Sequence, residues 1–181
     1  MRPLGYLDSL ERLLQLVRFE CGMDIIGAVK RLRVARETHA RIFVCGNGGS
    51  AATASHFACD LLKIGGFRVV ALTGNLAALT MYANDLGYES VFAQQLRAQS
   101  QPGDLLVVIS ASGDSHNILV ALAEAEPLGL QTVGLLGFDG GAAKDMCDAS
   151  VVVPSNSYEQ VEDIHLAICH AIAVHFKEKQ Q

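Results

Sequence analysis

Arg41-Ile-Phe-Val-Cys-Gly-Asn-Gly-Gly-Ser50-Ala-Ala-Thr-Ala-Ser-His-Phe-Ala-Cys-Asp60 passes from a continuous apolar run through a glycine-rich turn into a segment with helical spacing. Strand, glycine-rich turn and helix in that order build an anion cradle. Glycines let the backbone approach a ligand, and the unpaired N–H groups of the first helical turn point at it. A second junction of the same kind lies downstream, where Leu105-Leu-Val-Val-Ile109 enters Ser110-Ala-Ser-Gly-Asp-Ser115 ahead of an amphipathic stretch from Asn117 to Leu128. Two anion-friendly turns on strands of one sheet imply a phosphorylated small molecule as ligand.

The pattern around these junctions predicts the architecture. Residues 4–20 place Leu4, Leu7, Leu10, Leu13, Leu14 and Val17 near helical spacing, and residues 23–39 repeat the habit with Ile25, Ile26, Val29, Leu32 and Val34. After these two leading helices the patterns alternate. Strands are expected at 41–45, 67–72, 105–109, 131–136 and 149–153, with helices at 50–64, 75–83, 88–99, 115–128, 141–147 and 158–177. Such alternation predicts an α/β fold, a doubly wound parallel sheet of about five strands with helices on both faces. In these sheets ligands bind beyond the carboxyl ends of the strands, where both turns fall. No linker, low-complexity tract or repeat divides the chain, so residues 1–181 are expected to form one domain, with 1–40 preceding an α/β core at 41–181.

Composition excludes several classes of function. The chain has 181 residues, 50% of them hydrophobic, and no apolar run reaches the roughly 18–20 residues a membrane crossing needs. Acidic residues near the N-terminus argue against a secretory signal. The cysteines at 21, 45, 59, 147 and 169 are odd in number and form no paired spacing. They read as reduced core thiols, and the cytoplasm is the expected compartment. With a net charge of −5, the chain gathers its basic residues only at Lys30, Arg31, Arg33 and Arg36, which read as a solvated helix face rather than a nucleic-acid site.

Five blocks in order, Gly46-Asn-Gly-Gly-Ser-Ala51, His56-Phe-Ala-Cys-Asp60, Asn84-Asp85, Ile109-Ser-Ala-Ser-Gly-Asp-Ser115 and Glu162-Asp-Ile-His-Leu-Ala-Ile-Cys-His170, together resemble the sugar-isomerase (SIS) domain of bacterial phosphoheptose isomerases. The resemblance covers nearly the whole chain. It implies a five-stranded SIS fold, a homotetramer assembled largely through the leading helices, and aldose–ketose isomerisation of sedoheptulose 7-phosphate to glycero-manno-heptose 7-phosphate. It implies a phosphate held by Ser110, Ala111, Ser112 and Ser115, where family members usually carry threonine in place of Ala111. Asn47, Gly48, Gly49, Ser50, Asp85 and Glu162 would line the sugar. Asp60 and His170 match the family's proton-transferring glutamate and histidine, and His56, Asp60, Glu162 and His170 match a set able to bind a divalent metal such as zinc. No organic cofactor is implied. SIS domains also serve as sugar-phosphate sensors, and one relative binds the bacterial replication initiator, so a non-catalytic regulatory role stands as the alternative.

Physical chemistry bears on these matches independently. His56 and Asp60 are four residues apart, on one helical face and close enough to share a metal. Aspartate where the family has glutamate shortens the presumed base by one methylene, and glutamate for glutamine at 162 adds a second carboxylate. Eight residues of uninterrupted helix would separate Glu162 from His170 by about 12 Å. Either the helix begins after Glu162, or ligands meet from different subunits, or Asp163 is the real partner. His165, among apolar neighbours, is expected to be buried and hydrogen-bonded, and Cys59 and Cys169 to pack in the core. Asp85 orients substrate hydroxyls or merely ends a helix; Ser115 holds phosphate or merely caps one.

Overall fold

The computed structural model describes residues 3–178. Helices α1 (Pro3–Glu20) and α2 (Gly22–Glu37) lead into an alternating series: β1 (Arg41–Gly46), α3 (Gly49–Ile64), β2 (Arg68–Ala71), α4 (Leu76–Leu86), a 3-10 turn (Tyr88–Ser90), α5 (Val91–Gln99), β3 (Leu105–Ser110), α6 (His116–Ala125), β4 (Gln131–Gly137), α7 (Ala143–Met146), β5 (Ala149–Val153) and α8 (Tyr158–Glu178). The five strands pair in the order β2-β1-β3-β4-β5, all parallel, as the alternation predicts.

Strand periodicity divides the core into two layers. Ile42, Val44, Leu105, Val107 and Ile109 face one side, where α1, α2, α3 and α8 cover them with Leu32, Phe57, Leu61, Ile164, Ile168 and Phe176. Phe43, Cys45, Leu106 and Val108 face the other, against Phe92, Leu96, Ile118 and Leu122 of α5 and α6. Both faces of the sheet are therefore apolar, and strands buried on two sides read as continuous hydrophobic runs.

The order places the reversal of winding between β1 and β3, which pair in register from Ile42↔Leu105 to Gly46↔Ile109. A crevice opens at such a switch point because the connections leave the two strands in opposite directions. Gly46 is needed there on steric grounds. A Cβ at this position would lie 2.7 Å from the backbone carbonyl of Ser50 and 2.9 Å from the carbonyl oxygen of Ile109. At the second turn, Gly113 has φ of 71°, and a Cβ there would run into the carbonyl of Gly140.

α4 runs on to Leu86 where 83 was expected, the helix expected over 88–99 divides into the 3-10 turn and α5, and two further boundaries depart for identifiable reasons. α6 stops at Ala125 rather than 128 because Pro127 has no N–H to continue the ladder. α7 is one turn, starting at Ala143, since Gly140 and Gly141 take positive φ where the helix was expected to begin. Cys59 is exposed, which corrects the expectation that it packs in the core; Cys21, Cys45 and Cys169 are buried. Arg31, Arg33 and Arg36 are only half solvated. Arg31 donates to Gln131 and to the carbonyl of Asp148, Arg33 meets His175, and Arg36 lies over the ring of Phe67. Among the described residues no helix is long and apolar enough to cross a membrane.

Gly46→Ala is expected to lower stability by about 2–3 kcal/mol, the cost of overpacking against rigid backbone. Gly27→Ala, in α2 where an added Cβ meets nothing within 4 Å, should instead raise it by about 0.5–1 kcal/mol. Urea unfolding midpoints of the two variants check both signs.

Candidate active site

The two turns quoted from the sequence meet over the switch point. Asn47 and Asn117 exchange hydrogen bonds between their carboxamides: Asn47 Nδ2 donates to Asn117 Oδ1 at 2.8 Å, and Asn117 Nδ2 donates to Asn47 Oδ1 at 2.9 Å. The Tyr88 hydroxyl also donates to Asn47 Oδ1, at 2.8 Å. Asn117 and Tyr88 are functional candidates that sequence reasoning missed. A polar residue in the buried first turn of α6 was the available signal for Asn117; nothing local connects Tyr88 to position 47.

Helices α3 and α6 both begin at this crevice without a side-chain cap. Gly48 precedes α3 with φ of 55°, and Ser115 precedes α6 in an extended conformation with its hydroxyl making no cap bond. The N–H groups of Gly49 and Ser50 in α3 and of His116 and Asn117 in α6 are thus open to an anion, while those of Ala51 and Ile118 already donate to carbonyls of their own turns. The serines divide their tasks. Ser110 is buried and its Oγ accepts from the N–H of Gly113, while Ser112 Oγ accepts from the N–H of Asp114. Both stabilise the turn that carries the open N–H groups. Asp114 in turn accepts from the N–H of Ala142, anchoring this turn to the loop after β4. Ala111 is buried, and Ser50 is buried in the first turn of α3. Asp85 sits exposed at the end of α4 and accepts from Asn84 Nδ2.

Deeper along the α3–α8 contact, three of the residues singled out by sequence converge. His56 Nε2 and His170 Nε2 are 3.1 Å apart, and Asp60 Oδ2 lies 3.5 Å from the first and 3.7 Å from the second. The shorter aspartate therefore still reaches both imidazoles. Asp60 and His170 border a groove of about 340 Å³ between α3 and α8, whose other walls include Lys63 and Lys177. The three donor atoms suit a single divalent cation. Bond lengths of about 2.0–2.1 Å to a tetrahedral zinc place ligand atoms about 3.3–3.4 Å apart, close to the separations observed.

Glu162 does not join this cluster, contrary to the four-ligand set taken from the resemblance. α8 begins at Tyr158, so Glu162 is already helical and lies two turns from His170. Its carboxylate packs instead on Gly49, where any Cβ would collide with it, at the positive end of the α3 dipole. Asp163 is also not the missing partner, because its Oδ2 accepts from the Tyr6 hydroxyl of α1 at 2.7 Å. Cys169, beside the site, is no nucleophile: burial, reinforced by the Asp60 carboxylate, pushes its thiol up.

The chain matches the SIS domain model over residues 5–137. It is 39% identical over 176 residues to the phosphoheptose isomerase of Nitratiruptor sp., an alignment covering 93% of this chain and 91% of that one. It belongs to the phosphoheptose isomerase family. Among solved structures, the phosphoheptose isomerase of Neisseria gonorrhoeae superposes with a TM-score of 0.94 at 31% identity, over 98% of this chain and 97% of that one. The enzyme from Francisella tularensis gives 0.92 at 32% identity, over 98% of this chain and 100% of that one. The α/β sheet described above is thus the SIS fold of this isomerase family.

His165 is buried as expected, its Nε2 donating to the Leu136 carbonyl at 3.0 Å. Burial pulls its pKa down to about 4, only partly opposed by that hydrogen bond. An unfolded histidine titrates near 6.5, so between pH 6.5 and 4 the unfolded chain binds more protons and stability falls as pH drops. The loss should total about 3 kcal/mol by pH 4. Unfolding free energies of wild type and His165→Gln across this window should differ in slope by up to about 1.4 kcal/mol per pH unit.

Proposed function

We propose that the chain is an aldose–ketose isomerase that converts sedoheptulose 7-phosphate to glycero-manno-heptose 7-phosphate. The observation that carries the reading is the convergence of His56, Asp60 and His170, from two helices, beside a crevice with two uncapped helix starts. The names of the relatives favour it over a sensor or initiator-binding role.

In this reading the 110–115 turn receives the phosphate through the first-turn N–H groups of α6, the Ala111 N–H and the hydroxyls of Ser112 and Ser115, with Ser110 shaping the turn. Asn47, Gly48, Gly49 and Ser50 line the sugar, and Asp85 and Glu162 address its hydroxyls. Asp60 takes a proton from C1 of the ketose and returns it to C2 of the enediol. His170 gives a proton to O2 and recovers one from O1, so that no net charge is left on the intermediate. When a divalent metal such as zinc is bound by His56, Asp60 and His170, it supplies polarisation of the substrate's oxygens. Turnover of sedoheptulose 7-phosphate by purified protein is the expected result. Asp60→Asn and His170→Ala should each cost about 10²–10⁴ in kcat, the span of general acid–base catalysis. Tight sugar-phosphate binding without turnover in the wild type, with and without added zinc, would turn the reading to the sensor.

The same proposal takes residues 1–40 as the assembly region of a homotetramer built on the single domain. Leu4, Phe19 and Met23 are 73%, 87% and 74% exposed, and with the exposed Leu7, Leu14, Leu16 and Ile26 they concentrate large apolar side chains on two adjacent helices, which favours a protein partner as cover. A second copy of the chain would supply it and would also shield the open histidine site from water. Sedimentation should give a tetramer at micromolar concentration, and Phe19→Glu should shift it towards smaller species.

A further inference from the structure

The carboxamide of Asn47 is constrained on three of its four hydrogen-bonding positions. Both lone pairs of Oδ1 are filled, one by Asn117 Nδ2 at 2.9 Å and one by the Tyr88 hydroxyl at 2.8 Å. One N–H is committed to Asn117 Oδ1 at 2.8 Å. A carboxamide has two donors and two acceptor sites. What is left is a single N–H, so Asn47 can offer a ligand a donor and no acceptor. Its partners come from separate elements: Asn117 from the first turn of α6, where it is 3% exposed, and Tyr88 from the 3-10 turn after α4. The second of these ties the Gly-rich turn to the 3-10 turn that follows α4, a helix whose residues are all at least partly exposed.

We infer that Tyr88 and Asn117 are positioning residues that hold Asn47 as a fixed hydrogen-bond donor to a sugar oxygen gaining negative charge during isomerisation. The inference rests on the isomerase reading above and deepens it at the first turn. A donor locked before the substrate arrives needs no reorganisation as the enediol forms, which is the condition under which a single hydrogen bond contributes most to rate. The pair also ties the two regions together, since Asn47 belongs to the sugar-lining turn and Asn117 to the first turn of α6, directly after the phosphate turn.

The test is a cycle of variants in the full-length protein, read by isomerase kinetics, by inhibition with inorganic phosphate and by thermal melting. Tyr88→Phe keeps the ring and removes only the hydroxyl. It should lower kcat/KM about three- to tenfold, the range for one neutral hydrogen bond, while the melting temperature is unchanged and the inhibition constant of inorganic phosphate stays within about twofold. In an Asn47→Ala background the same substitution should have no further effect, because its action passes through Asn47. Full activity in Tyr88→Phe, an equal loss in both backgrounds, or a parallel weakening of phosphate inhibition would each overturn the inference. Should the wild type bind sedoheptulose 7-phosphate without converting it, the isomerase reading falls while the same cycle, measured as dissociation constants by calorimetry, still decides whether Tyr88 acts through Asn47.

Discussion

β1 and β3 lie side by side at the point where the winding of the sheet reverses, and the absence of a side chain at Gly46 is what allows the turn after β1 to fold down against the end of β3. Everything at the candidate active site descends from that close approach. It brings the 46–50 turn within hydrogen-bonding reach of α6, permits the Asn47–Asn117 exchange, and aims α3 back across the sheet so that its outer face meets α8. A side chain at 46 would separate the two turns by pushing on backbone at both ends. The glycine thus contributes space rather than contacts.

The same geometry divides labour between two regions. Uncapped starts of α3 and α6 form the anion-binding end, where partial positive charge and free N–H groups are a consequence of helix termination. The chemistry-bearing side chains stand about two to three turns into α3 and about two turns further along α8 than Glu162, where titratable groups from different helices face each other. Glu162 belongs to the first of these regions. Its carboxylate packs on Gly49 at the start of α3, about two turns of α8 away from His170, and so stands apart from the other three residues.

Polar groups buried for structural reasons are as informative as the reactive ones. Ser110 accepts a turn N–H with its hydroxyl, and His165 spends Nε2 on the end of β4. These residues stiffen the rim from below. The side chains left open at the surface, His56, His170 and the apolar residues of α1, share one physical circumstance: each is exposed in a single copy of the chain although its chemistry favours being covered.

Sequence alone determined the parallel sheet, both turns and the helical proximity of His56 to Asp60, because strand and helix periodicity, glycine placement and i,i+4 spacing are local properties carried by neighbouring residues. It also determined that His165 would be buried, since its neighbours in the chain are apolar. The tertiary structure alone decided that His170 reaches the His56–Asp60 pair, that Glu162 turns to Gly49, that Asp163 is taken by Tyr6, and that Tyr88 and Asn117 converge on Asn47. Those pairings join residues 41 to 157 positions apart, as in the bonds from Tyr88 to Asn47 and from Tyr6 to Asp163. The direction in which a helical side chain points is fixed by how its helix rotates and packs against another, and no local pattern encodes that rotation.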